Sequence, residues 1–152
     1  MNTRSQTVTI DLPLGVKSIF PMLLRPSAIR AWWQADRAVV VPEAGGIWVA
    51  AWGPEEDAPE YVTSARIIEY EPPYRMVLGE YAYFAKSGPL PFEADFTTAF
   101  ELQTCSPGCR LTVTQDGFPA DPAANEFYRA CEIGWHNTLQ ALKSCAAGEH
   151  RI

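Results

Sequence analysis

A chain of 152 residues, with 47% hydrophobic and 20% charged positions, is long enough to bury a full core and too ordinary in composition for a disordered tail or a coiled coil. With 12 Lys and Arg against 18 Asp and Glu the net charge is -6, which argues against nucleic acid or an anionic membrane as partner, because phosphate binding rests on clustered cations. The longest apolar runs, around Val39-Val40-Val41, fall far short of a membrane span, and Met1 to Thr7 lacks the apolar stretch of a signal peptide. The expectation is therefore one domain over 1–152, resident in the cytoplasm.

Thr7 to Leu12 alternates polar and apolar side chains, the period of a half-buried strand, and Pro13 ends it. Val16, Ile19, Phe20, Leu23 and Leu24 recur at helical spacing, interrupted by Pro21 and Pro26, so two short helices are expected over about 14–24 and 26–33. Trp32-Trp33 closes this helical corner. From Arg37 to Asp116 the pattern is β, with strands expected at 37–41, 46–52, 60–70, 74–84, 92–103 and 110–116 and Gly or Pro punctuation between them. Connections this short imply an antiparallel meander.

The period changes again after Asp121-Pro122, which supplies a helix cap and a first-turn proline. A helix over about 123–147 places Phe127, Cys131, Trp135, Thr138, Leu142 and Cys145 on one face, flanked by Tyr128 and Leu139, while Glu126, Arg129, His136, Gln140 and Lys143 take the other. The expected class is α+β: a curved antiparallel sheet wrapped around a long C-terminal helix, with two short helices after the first strand. Only that last helix is long enough to cover the sheet's concave face.

Several segments taken in order carry a resemblance. They are Ala31-Trp32-Trp33, Gly45-Gly46-Ile47-Trp48, Glu71-Pro72-Pro73-Tyr74-Arg75-Met76-Val77, Phe100-Glu101-Leu102, the run from Arg110 to Phe118 and the run from Gly134 to Lys143. Together, over about 8–147, the chain resembles the heat-shock-protein ATPase activator homologue (AHSA) family of the START, birch-pollen-allergen and polyketide-cyclase superfamily, abbreviated SRPBCC. The resemblance implies a helix-grip fold whose sheet and last helix enclose a cavity for an apolar small molecule; it implies no particular reaction. The sequence departs from the family pattern at Phe20-Pro21, in the acidic loop from Pro54 to Pro59 and in the connection from Lys86 to Pro91.

Alternation sets Trp48, Ala50 and Trp52 on one face of their strand and Phe92, Phe96, Thr98, Phe100 and Leu102 on one face of theirs. Periodicity alone favours a solid core between these residues and the last helix, whereas the resemblance implies a cavity there, walled by Trp48, Trp52, Phe96, Phe100, Phe127, Cys131 and Trp135. Tyr81, Thr98 and Gln115 are candidate polar groups. Glu80 has two readings. If Met76 and Leu78 point inward, so does Glu80, and burial among aromatics makes it a candidate proton donor or anchor; the other register turns Val77, Tyr81 and Tyr83 inward and leaves Glu80 in solvent.

His136 falls on the solvent side of the last helix, and His150 lies in the tail. Of the 4 cysteines, Cys105 and Cys109 flank the turn Ser106-Pro107-Gly108 and are expected as reduced thiols. That pair lacks the second pair of ligands a zinc site needs, and no phosphate-binding loop or nucleophile triad is found, so no metal and no cofactor is expected. Three functions fit. The first is binding of a small apolar or aromatic molecule in the cavity; the alternatives are a polyketide-cyclase type of enzyme using the same cavity, with Glu80 as its acid, and a co-chaperone-like protein acting on a chaperone partner through its surface.

Overall fold

Glycine and proline turns only a few residues long leave successive strands no geometry except antiparallel pairing. The computed structural model describes residues 2–148, so His150 lies outside the described residues. The elements run β1 (Thr3–Leu12), α1 (Val16–Ile19), a 3-10 turn (Phe20–Leu23), α2 (Pro26–Trp32), β2 (Arg37–Val40), β3 (Ile47–Trp52), β4 (Tyr61–Glu71), β5 (Arg75–Ala85), β6 (Thr97–Thr104), β7 (Cys109–Pro119), a second 3-10 turn (Pro122–Ala124) and α3 (Asn125–Ala146). The sheet order is β1-β7-β6-β5-β4-β3-β2, so the meander keeps chain order and only β1 crosses, to pair with β7. Gly46 marks a tight turn between β2 and β3, where a Cβ would overlap the Val41 carbonyl oxygen.

The expected α+β arrangement is the one adopted. Trp48, Ala65, Ile67, Met76, Leu78, Phe100, Leu111 and Val113 form the buried face of the sheet, with Ile19, Ile29 and Trp32 from the helical corner. Along α3 the buried residues are Trp135, Leu139, Leu142 and Cys145, and His136, Gln140 and Lys143 are exposed, as helical spacing predicts. The start of α3 is tied to β1: Gln6 Nε2 donates to the Tyr128 carbonyl at 2.9 Å and the Tyr128 hydroxyl donates to the Ser5 carbonyl at 2.7 Å. Asp121 accepts from the Ala123 N–H at 2.8 Å, capping the 3-10 turn that leads into the helix. Among the described residues no helix is long and apolar enough to cross a membrane.

Boundaries differ where local chemistry intervenes. β1 begins at Thr3, because its first residues pair with the far end of β7 across a register shift that alternation does not reveal. The first expected helix is only four residues of α-helix before it tightens into the 3-10 turn at Phe20-Pro21, since Pro21 has no N–H to continue an α-helical ladder. The expected strand 92–103 begins only at Thr97. Residues 92–96 are loop, and Phe92 and Phe96 pack against Phe127 at ring separations of 5.5 and 5.7 Å.

The consequential difference lies in β5. Gly79 pairs with Arg66 and Ala82 with Ser64, so Glu80 and Tyr81 together face the single residue Ala65. Glu80 occupies the bulge with φ 51. Before the bulge Met76 and Leu78 point inward; beyond it Tyr81 turns to the same side with Tyr83, which borders the smaller cavity yet remains exposed, and Glu80 is exposed. Each reading of this strand thus holds for one half of it. The inward carboxylate expected from the first reading is not there.

Candidate functional site

The bulge also divides the sheet. Pairing of β5 with β6 stops at Leu78 and Thr98, while β5 continues along β4 as far as Ala85 opposite Tyr61. The space that opens is covered by α3 and by the connection that carries Leu90, Phe92 and Phe96. Two adjoining cavities occupy it. The larger, about 210 Å³, lies between Trp33, Thr63 and the α3 stripe of Cys131, Gly134, Trp135 and Thr138. The smaller, about 80 Å³, lies among Tyr83, Leu90, Phe96, Phe118 and Phe127. Thr63, Tyr81 and Gln115 line both.

Each end is aromatic. All 5 tryptophans of the sequence meet around Trp33, whose ring centroid lies 5.2 Å from Trp32, 5.3 Å from Trp48, 5.7 Å from Trp52 and 4.9 Å from Trp135. Their orientation is held by backbone carbonyls: Trp32 donates to Met22 at 2.7 Å, Trp48 to Leu23 at 3.1 Å and Trp52 to Trp33 at 3.2 Å. A buried indole N–H without such an acceptor would be costly. At the opposite end Phe118 lies 5.0 Å from Phe96 and 6.1 Å from Phe127.

Between these clusters sits a short polar relay. The Tyr81 hydroxyl donates to Thr98 Oγ1 at 2.7 Å, and Gln115 Nε2 donates to the same oxygen at 3.3 Å. Gln115 Oε1 is buried with no partner. Burial holds the Tyr81 phenol above its ordinary range, opposed in part by the bond to Thr98, so Tyr81 is a neutral donor at any physiological pH.

Of the expected wall residues, Tyr81, Gln115, Cys131 and Trp135 line the larger cavity, and Phe96 and Phe127 the smaller. Thr98 is fully buried behind Tyr81 and Gln115. Trp48 and Phe100 are core, and Trp52 packs on Trp33 without lining either cavity. Sequence reading left out Trp33, Thr63 and Gly134. Thr63 shares the inward alternation of Ala65 and Ile67, and Gly134 lies on the helical spacing of Cys131 and Thr138; Trp33 had no such signal, because it follows the last turn of a short helix.

The four cysteines are free, and Cys105 and Cys109 sit at the two ends of the β6–β7 connection. Burial pushes the Cys131 thiol up to about 12, and burial also raises Cys109 and Cys145. Because Cys131 ionises less readily folded than unfolded, its contribution to stability is complete below the ordinary thiol value of 9.0 and is lost as pH rises toward about 12. The thiolate is the reactive form, so iodoacetamide at pH 8 should modify Cys105 at least roughly tenfold faster than Cys131 in the folded protein, and all four after unfolding. Equal rates at Cys105 and Cys131, read by peptide mass spectrometry, would contradict this placement.

Larger depressions lie elsewhere. One of about 570 Å³ is bordered by Arg75, which is paired with Glu101 at 2.7 Å, and another of about 570 Å³ lies between the helical corner and Tyr70, with Lys17 and Arg25 at its edge. Neither includes a residue expected at the site.

Solved structures of the same fold include the MLL2253 protein of Mesorhizobium loti, 17% identical with a TM-score of 0.77 over 98% of this chain and 100% of that one. The NE0264 protein of Nitrosomonas europaea is 17% identical, with a TM-score of 0.74 over 96% of each chain. DynU16, from the dynemicin biosynthetic locus, is 15% identical with a TM-score of 0.69, covering 91% of this chain and 45% of that one. No curated protein matches the sequence significantly. A family model described as Activator of Hsp90 ATPase homolog 1-like protein matches residues 14–147, which takes in the helical corner, every strand from β2 to β7 and α3, and the chain belongs to that family.

Proposed function

We propose that this protein binds a small apolar or aromatic molecule in the cavity between α3 and the sheet. The observation that supports the reading best is the cavity of about 210 Å³ beside Trp33, Trp135 and Tyr81, where aromatic faces and neutral hydroxyls surround space that no side chain fills. A ring of about eight heavy atoms desolvated there should bind in the micromolar to millimolar range, since small ligands reach at best ~1.5 kcal/mol per atom and the best value is seldom realised.

An enzyme using the same space would need an acid, a base or a nucleophile. Glu80 is exposed, no carboxylate or histidine among the described residues lines either cavity, and the Cys131 thiol is protonated at neutral pH. Binding without turnover is therefore the better reading.

Gly134 offers a clean test, because a Cβ there meets nothing within 4 Å and the residue borders the cavity. Gly134→Ala should stabilise the protein by about 0.5–1 kcal/mol through helix propensity. Gly134→Leu should keep the fold and place its side chain in the cavity. Freshly purified wild type should show a bound small molecule in native mass spectrometry, and Gly134→Leu should not. An unliganded wild type whose melting temperature no apolar compound raises would overturn the proposal in favour of a surface-acting partner protein.

A further inference from the structure

We propose that the groove between the helical corner and the β4–β5 turn is a second binding site, and that its ligand is a soluble amphipathic carboxylate, an apolar body carrying one negative head. The groove shares no lining residue with the two interior cavities, so it stands apart from the binding proposed there.

The walls set the body of the ligand. The groove is open and holds about 570 Å³, within the range of small-molecule sites. Buried Phe20, its ring centroid 6.0 Å from that of Tyr70, and half-buried Leu24 and Val40 give it apolar surface. Pro21, Pro26, Pro42, Pro72 and Pro73 also line it. Proline has a fixed φ and no N–H, so these walls are preformed and cannot donate to the carbonyls of an extended peptide. A peptide docked here would find few of the main-chain bonds by which such segments gain affinity, whereas an alkyl chain or a ring needs none.

Charge sets the head. Lys17 and Arg25 are the only charged residues lining the groove, both are exposed, and neither forms an ion pair among the described residues. The acids next to the lining residues in sequence do not occupy them: Glu69 and Glu71 turn to Arg75 at 3.4 and 3.7 Å, and Glu43 does not line the groove. Two free cations beside apolar surface, on a chain of net charge -6, complement a ligand with one anionic end and an apolar remainder. A neutral ligand gains nothing from them, and a cationic one is repelled.

Octanoate, 1-octanol and octylammonium share one alkyl chain and differ in the charge of the head. Each is titrated at neutral pH into the isotope-labelled wild-type chain and followed by NMR. Octanoate should shift the backbone amide signals of Phe20, Leu24, Val40 and Tyr70 and leave the indole N–H signals of Trp33 and Trp135 in place. It should bind at least about fivefold tighter than octylammonium, and raising the salt from about 50 mM to about 500 mM should shrink that gap. Lys17→Gln combined with Arg25→Gln, both at exposed positions, should weaken octanoate about fivefold while changing 1-octanol by less than about twofold. Octylammonium binding as tightly as octanoate, an equal loss of both octanoate and 1-octanol in the double variant, or shifts confined to Trp33 and Trp135 would overturn the proposal. So would groove shifts that appear on concentrating the protein without ligand, which would give the site to a second copy, or a blocked apolar tetrapeptide that matches octanoate, which would give it to a protein segment. Failure of octanoate to bind at the groove overturns it as well and leaves the interior cavity's reading untouched.

Discussion

Trp33→Ala should lower the free energy of unfolding by about 3–5 kcal/mol, the largest loss of any single substitution around the cavity. Trp33 is the one ring that touches the other four tryptophans, joining the helical corner through Trp32, the sheet through Trp48 and Trp52, and α3 through Trp135. Truncation removes those contacts together and leaves a void continuous with the existing space. Urea unfolding followed by circular dichroism would measure it. A loss below about 1 kcal/mol, as for an exposed surface residue, would mean that the cluster does not hold the cavity's wall.

Gly117→Ala should cost about 3 kcal/mol and loosen the other end. Gly117 has φ +93, a conformation that strains any residue with a Cβ, and an added Cβ would overlap the Asp95 carbonyl oxygen. Either the end of β7 or the 92–96 loop must move. Both routes separate Phe96 from Phe118, now 5.0 Å apart, and widen the smaller cavity. Gly134→Ala is the matched control, since the same change in open space should stabilise. If Gly117→Ala unfolds at the wild-type urea concentration, the close fit ascribed to this glycine is wrong.

How far the sequence disclosed this arrangement depended on the range of the interaction involved. The face of α3 was readable because helical spacing alone sets Trp135, Leu139 and Leu142 together, and the meander because turn residues interrupt each strand. The β5 bulge was not readable. Two-residue alternation assumes an unbroken ladder, and nothing near Gly79-Glu80 in sequence announces that two residues will face Ala65. That one irregularity moved Glu80 from the interior to solvent and brought Tyr81 to Thr98. Phe92 and Phe96 read as strand for a related reason: their alternation is real, but it serves packing on Phe127 rather than pairing. The place of Trp33 depends on Trp48, Trp52 and Trp135, all distant from it in sequence, a relation no local pattern encodes.

The most direct test of ligand binding in the cavity is a crystal structure of the protein with 1,4-dimethylbenzene, a ring with no polar group to draw it elsewhere. Density for the ring should appear between Trp33, Trp135 and Cys131, with α3 in place. A ring seated instead in the groove beside Phe20 and Tyr70, or an interior that stays empty at saturating ligand, would contradict the account.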